Sequence, residues 1–114
     1  MNVGIVGSRE YTNYVDFAKH VDNILNGLEI ASIISGGAKG TDALAEKYAT
    51  INNIPITIYK ADWNKYGRSA GPIRNTRIAK ECDFLIAFVA KNSIGTLDTI
   101  RKVGNKKCFR IDLK

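Results

Sequence analysis

Five short apolar runs, Asn2–Val6, Ile30–Ser35, Ile54–Tyr59, Phe84–Val89 and Cys108–Ile111, are separated by four stretches each long enough to form a helix. This alternation constrains the fold more than any other feature of the sequence. Runs rich in β-branched and aromatic residues and bounded by turn residues read as strands covered on both faces. The segments between them carry a helical period. Phe17, Val21, Ile24, Leu25 and Leu28 share one helical face, with Asn26-Gly27 placed to stop the helix. A second helix is predicted over Thr41–Ile51, ending at Asn52-Asn53, and a third from near Pro72 to about Glu81. A fourth runs from Gly95 to Val103 and stops at Gly104-Asn105. With right-handed crossovers, these elements give a single α/β domain over residues 1–114. Its core is a doubly wound, five-stranded parallel sheet of order 3-2-1-4-5, with helices on both faces.

In that strand order the winding reverses between the first and fourth strands, which opens a crevice at their carboxyl ends. The loops bordering it are rich in Gly, small hydroxyl residues and Arg. They are Gly7-Ser8-Arg9, Ser35-Gly36-Gly37-Ala38-Lys39-Gly40-Thr41-Asp42, the stretch from Ala61-Asp62-Trp63 to Gly71-Pro72-Ile73-Arg74-Asn75, and Asn92-Ser93-Ile94-Gly95-Thr96-Leu97-Asp98. Glycine lets a backbone approach a ligand closely, and a helix start offers unpaired N–H groups with a partial positive charge, a combination suited to phosphate. Gly36-Gly37-x-x-Gly40-Thr41 is the strongest such element by sequence. It is neither the dinucleotide fingerprint nor the P-loop, which argues against NAD binding and P-loop ATP hydrolysis. Arg9 and Arg74 are the candidate anion clamps, Arg77 sits one turn beyond Arg74, and Trp63 is placed either to stack on a ring or to cover the core. Asp42 and Asp98 each fall in a first helical turn, where a carboxylate is favoured by the dipole and could also accept ribose hydroxyls.

Charge is distributed unevenly. Residues 1–57 carry four Lys/Arg against six Asp/Glu, and residues 58–114 carry thirteen against five. A basic second half suits a polyphosphate, an acidic partner or nucleic acid, and equally a solvated lysine-rich surface. Cys82 and Cys108 stand apart without a CxxC or Cys/His grouping and read as reduced core residues. His20, the only histidine, lies in a predicted helix, which disfavours a histidine metal centre and a Ser-His-Asp triad. No metal site and no cofactor are expected. The absence of a run of roughly 20 apolar residues and of a basic region ahead of an apolar stretch points to a cytoplasmic protein without a membrane segment.

The motifs Gly7-Ser8-Arg9, Gly36-Gly37-Ala38-Lys39-Gly40-Thr41-Asp42-Ala43-Leu44-Ala45, Ala61-Asp62-Trp63, Ala70-Gly71-Pro72-Ile73-Arg74-Asn75 and Gly95-Thr96-Leu97-Asp98-Thr99 resemble, in this order and spacing, the SLOG superfamily. That superfamily groups Smf/DprA and LOG-type proteins, and the likeness is to its small YspA/YpsA-related branch. The resemblance covers nearly the whole chain and implies a Rossmann-like fold with a nucleotide-type ligand. In LOG phosphoribohydrolases the comparable last loop reads PGGxGTxxE, and its Glu acts with an Arg that precedes a Lys on the previous helix. Arg74, before Asn75, matches that Arg. Thr99 stands where the Glu would be, and Asp98 lies one residue early, a rotation of about 100° on a helix.

Three functions remain open at this level. One is a binding module for a nucleotide or ADP-ribose-like molecule, serving to sense or sequester it. A second is a LOG-like nucleotide hydrolase, with Arg74 gripping phosphate and Asp98 or Asp42 as its carboxylate. The third is a DprA-type module for single-stranded DNA, which is weakened by the scarcity of stacking aromatics. A homo-oligomer is expected from the exposed helices of small Rossmann-like domains and from the dimers of LOG relatives.

Overall fold

A computed structural model describes residues 1–114. The elements run β1 (Asn2–Gly7), α1 (Tyr14–Leu25), β2 (Ser32–Ser35), α2 (Thr41–Ile51), β3 (Ile56–Ile58), α3 (Trp63–Tyr66), a 3-10 turn (Gly67–Ser69), α4 (Ala70–Glu81), β4 (Phe84–Val89), α5 (Ile94–Val103) and β5 (Cys108–Asp112). All strand pairs are parallel, in the order β3-β2-β1-β4-β5. The chain therefore has the predicted Rossmann-like architecture.

The alternation of side chains along the two central strands builds two cores. Val3 and Ile5 of β1, with Phe84, Ile86 and Phe88 of β4, meet Phe17 and Val21 of α1 and Leu44, Ala45 and Tyr48 of α2. On the opposite face Val6, Leu85, Ala87 and Val89 pack with Ile78 and Ala79 of α4 and Val103 of α5. Every residue of β4 is buried, as a central strand covered on both sides requires. The two covering layers differ in charge. Helices α1 and α2 carry Lys19 and Lys47 against Asp16, Asp22, Asp42 and Glu46, whereas α4 and α5 carry Arg74, Arg77, Lys80, Arg101 and Lys102 against Glu81 and Asp98.

Several expectations shift at the edges. The third strand is only Ile56–Ile58, because Pro55 brings a carbonyl but no N–H to the ladder, and that carbonyl accepts from Ile33 N at 2.9 Å. The second strand starts at Ser32 rather than Ile30, although Ile30 still packs against the core. Leu28 lies beyond α1 and is exposed, since the helix ends at Leu25 and Gly27 turns the chain with φ 79°. Cys82 is buried as expected, but Cys108, on edge strand β5, is only partly so; both are free thiols. Helix α3 was not expected. Its start is visible in retrospect at Asp62, whose carboxylate accepts from Lys65 N at 3.1 Å as an N-cap. No helix is long and apolar enough to cross a membrane.

Candidate functional site

The turn after β1 is fastened to the start of α2. The Ser8 carbonyl accepts both Thr41 N, at 3.0 Å, and the Thr41 hydroxyl, at 2.9 Å. Gly40 makes this crossing possible. Its backbone sits at φ 71°, ψ −126°, and a Cβ there would lie 2.4 Å from the Arg9 carbonyl carbon. The Arg9 side chain is thereby left exposed at the rim of a crevice of about 540 Å³ that opens beyond the carboxyl ends of β1 and β4.

The turn after β2 supplies the second wall. Ala38 N donates to Asp42 Oδ2 at 3.1 Å, so the turn binds its own carboxylate. Arg74 reaches across from α4 and donates through Nη1 to the Gly36 carbonyl at 2.9 Å. A Cβ at Gly36 would fall 2.3 Å from Arg74 Nη1 and 2.9 Å from Asp42 Oδ2, so both side chains would have to shift to admit it. Guanidinium and carboxylate thus share one side of Gly36 without closing to a direct ion pair. Burial pushes the Asp42 carboxyl above the usual carboxylate range, opposed by the Ala38 N–H, the Arg74 charge and the Ser35 hydroxyl. Burial also lowers the Arg74 guanidinium; Asp42 opposes that shift and the nearby charge of Arg9 adds to it. Ser35 Oγ, at the end of β2, is buried and makes no hydrogen bond of its own.

The third wall is the start of α5, joined to α4 by one carboxamide. Arg74 Nε donates to Asn75 Oδ1 at 3.0 Å, and Asn75 Nδ2 donates to the Gly95 carbonyl and to Asp98 Oδ2, each at 3.2 Å. Ser93 precedes the helix, but its hydroxyl accepts from Ala90 N at 2.9 Å instead of capping α5. The first three N–H groups of α5, those of Ile94, Gly95 and Thr96, therefore have no partner in the chain. All three residues line the crevice. Thr96 is only 6% exposed, and its hydroxyl likewise has no protein partner.

Of the residues singled out by sequence, Gly7, Ser8, Arg9, Ala38, Asp42, Arg74, Asn75, Gly95 and Thr96 line this crevice together. Gly36, Gly40, Thr41 and Ser35 stand behind its wall, where they fix the turns. Gly37 faces Ile58 and Lys60 instead. Trp63 is 53% exposed and lies over Gly71, so neither of these lines the crevice. Asp98 is turned away as well, paired with Lys102 at 2.8 Å and with Arg101. Burial works against the ionised form of Asp98, but hydrogen bonds from Lys102 and Asn75 and the charges of Lys102 and Arg101 hold it below the usual range. Arg77 rests over the Tyr59 ring at 4.1 Å rather than adding to the Arg74 field. Sequence reasoning did not single out Glu10, Lys91 or Thr99 as lining residues. Lys91 was the most accessible of these, since it stands two residues past the strand whose carboxyl end borders the crevice.

Comparison with known proteins agrees with this architecture. Residues 1–66 match the family described as the YspA, cpYpsA-related SLOG family. The Gene 61 protein of Mycobacterium phage D29 is 30% identical over 76 residues, and the chain spans 61% of that relative's length. DNA processing protein A (DprA) from Streptococcus pneumoniae superposes with a TM-score of 0.57 at 19% identity, over 96% of this chain and 58% of that one. The matched family segment holds the β1 turn, the Gly36–Asp42 turn and their mutual fastening, and the chain belongs to the YspA, cpYpsA-related SLOG family.

Proposed function

We propose that the crevice binds a phosphate-bearing nucleotide or nucleotide-derived small molecule, in order to sense or sequester it. One observation carries this reading: three unpartnered N–H groups at the start of α5, the unpartnered Thr96 hydroxyl and the cations Arg9, Arg74 and Lys91 all meet in one crevice. Helix N-termini favour anions, and a partly desolvated guanidinium grips phosphate oxygens in pairs. Arg74 spends two of its five N–H groups on Gly36 and Asn75, which leaves the others for a ligand. The crevice volume suits a molecule of nucleotide size. SLOG membership supports a nucleotide-related role.

Thermal melts across a panel of nucleoside mono-, di- and triphosphates, cyclic nucleotides and ADP-ribose test the proposal. A ligand present at 100 times its dissociation constant should stabilise the fold by about 2.7 kcal/mol. Arg74→Ala should weaken that ligand by at least about tenfold, the worth of a hydrogen bond to a charged group. If no phosphorylated compound shifts the melt, the reading is lost.

A hydrolytic reading has one observation in its favour, the presence of Asp42 in the crevice with its affinity for a proton raised by burial. On this reading Asp42, and not Asp98, is the carboxylate that meets the substrate. Chromatography of the same nucleotide mixtures after incubation would reveal free base or sugar phosphate.

A further inference from the structure

Asp42 is 8% exposed, lines the crevice, and takes one hydrogen bond in the chain, from Ala38 N to Oδ2, with the Ser35 hydroxyl beside the carboxylate and room for further donors. An ionised carboxylate offers about four acceptor positions. One left so empty in a nearly closed wall has room for donors brought by a ligand. The neighbouring cation does not supply them, because Arg74 and Asp42 share one side of Gly36 without closing to a salt bridge, and Arg74 Nη1 donates to the Gly36 carbonyl instead. The other carboxylate on the crevice, Glu10, is exposed, and Asp98 faces elsewhere. Asp42 is therefore the one buried carboxylate facing the crevice.

Its distance from the phosphate-accepting edge is set by two side chains. From Asp42 the path crosses the Arg74 guanidinium, then the Asn75 carboxamide, and ends at the Gly95 carbonyl at the start of α5. The hydroxyls of a ribose stand only a few bonds from its 5′-phosphate, so a phosphate held by Arg74 brings them toward the carboxylate that shares one side of Gly36 with that guanidinium. Hydroxyls are donors that a carboxylate accepts, whereas a second phosphate in the same place would meet like charge.

On the phosphate reading given above, we propose that Asp42 selects the sugar of the ligand. Its carboxylate takes the hydroxyls of a ribose whose 5′-phosphate lies on Arg74 and the start of α5, and its charge turns away ligands phosphorylated on those hydroxyls. The crevice thus takes ribonucleoside 5′-phosphates and discriminates against their deoxy and 3′-phosphorylated counterparts.

Calorimetric titration of the intact chain tests this with the four ribonucleoside 5′-monophosphates, the matching 2′-deoxy and 3′-deoxy compounds, and adenosine 3′,5′-bisphosphate. At least one ribonucleotide should bind about 10- to 100-fold more tightly than its deoxy counterparts, the worth of one hydrogen bond to a charged acceptor. Asp42→Ala should bring that ratio close to one, and Asp42→Asn should admit the bisphosphate. Equal binding of ribo and deoxy forms by the unaltered chain overturns the role of Asp42 but leaves the phosphate reading standing, and this comparison does not depend on either variant folding. A preference that persists unchanged in folded Asp42→Ala overturns it too. Failure of every nucleotide to bind removes both proposals.

Discussion

Helices α2 and α5 begin with related sequences, Gly40-Thr41-Asp42 and Gly95-Thr96-Leu97-Asp98, yet their threonines are used in opposite ways. At α2 the threonine and the turn before it are tied into the protein, although the Asp42 and Ala43 N–H groups have no partner in the chain. Thr41 gives both its N–H and its hydroxyl to the Ser8 carbonyl, and Ala38 N–H serves Asp42. At α5 the first three N–H groups and the Thr96 hydroxyl are left free at a crevice. The glycine-rich turn that looks most like a phosphate cradle thus uses its threonine to tie the sheet together, and the plainer loop keeps its threonine open at the crevice. A motif identifies groups capable of holding an anion; whether they do so depends on what the rest of the fold has already claimed.

Glycine substitution should separate the two helix starts most sharply. Gly40→Ala places a Cβ against the Arg9 backbone in a region of φ and ψ essentially restricted to glycine, and should cost about 3 kcal/mol or more in urea unfolding. A Cβ at Gly95 meets nothing closer than Asn75 Nδ2 at 4.0 Å. Gly95→Ala should leave stability unchanged or raise it by up to about 1 kcal/mol, while weakening nucleotide binding. If the two variants unfold at the same urea concentration, the contrast fails.

The threonines provide a milder version of the same test. Thr41→Val removes a fully buried hydroxyl that donates to Ser8 O, and should cost about 1–2 kcal/mol of stability. Thr96→Val keeps the same volume and breaks no internal bond, so its loss should appear in ligand affinity alone. Denaturation and titration of both proteins would show whether structural and binding roles divide in this way.

The two aspartates differ by the smallest amount, and pH separates them. Asp42 is raised by burial, so between the ordinary carboxylate range, about pH 4, and its raised value the folded chain keeps a proton the unfolded chain has lost. Its contribution to stability falls as pH rises through that window. Asp42→Asn should therefore melt higher than the unaltered chain at pH 7, and the gain should vanish in acid. Asp98 is held low, chiefly by hydrogen bonds from Lys102 and Asn75 that outweigh its burial. Its contribution is complete above about pH 4 and drains away as pH falls through its lowered value. Asp98→Asn should cost no more than about 1 kcal/mol at pH 7, with the difference disappearing in strong acid. Thermal melts from acid to neutral pH would show two slopes of opposite sign, and parallel slopes would sink the distinction.

Much of this was legible in the sequence. Strand order followed from the number and spacing of apolar runs, and α2 and β4 lie at their expected limits because each is bounded by residues with one structural use, Gly40 and Asn52 for the helix and Asp83 and Ala90 for the strand. Arg74, Asn75 and the Gly95-Thr96 pair meet as expected because all lie at strand or helix ends on one edge. The orientation of side chains was not legible. Both aspartates were expected in a first helical turn, but α5 starts at Ile94, so Asp98 is its fifth residue while Asp42 is the second of α2, and Asp98 pairs there with Lys102 and Arg101. Trp63 escaped for a related reason: it belongs to an extra helix whose short length gives no period to read, and that helix lays the indole over Gly71.

The opposite charges of the two helical layers give the molecule an electrical polarity larger than its net +6 conveys. Such a body behaves as a patterned colloid, turning its α4–α5 side toward any negatively charged surface before contact is made. It would be held on a cation-exchange matrix more firmly than a uniformly charged protein of equal net charge. Because unlike sides attract, dilute salt would draw copies into loose stacks that added salt should disperse by shortening the Debye length.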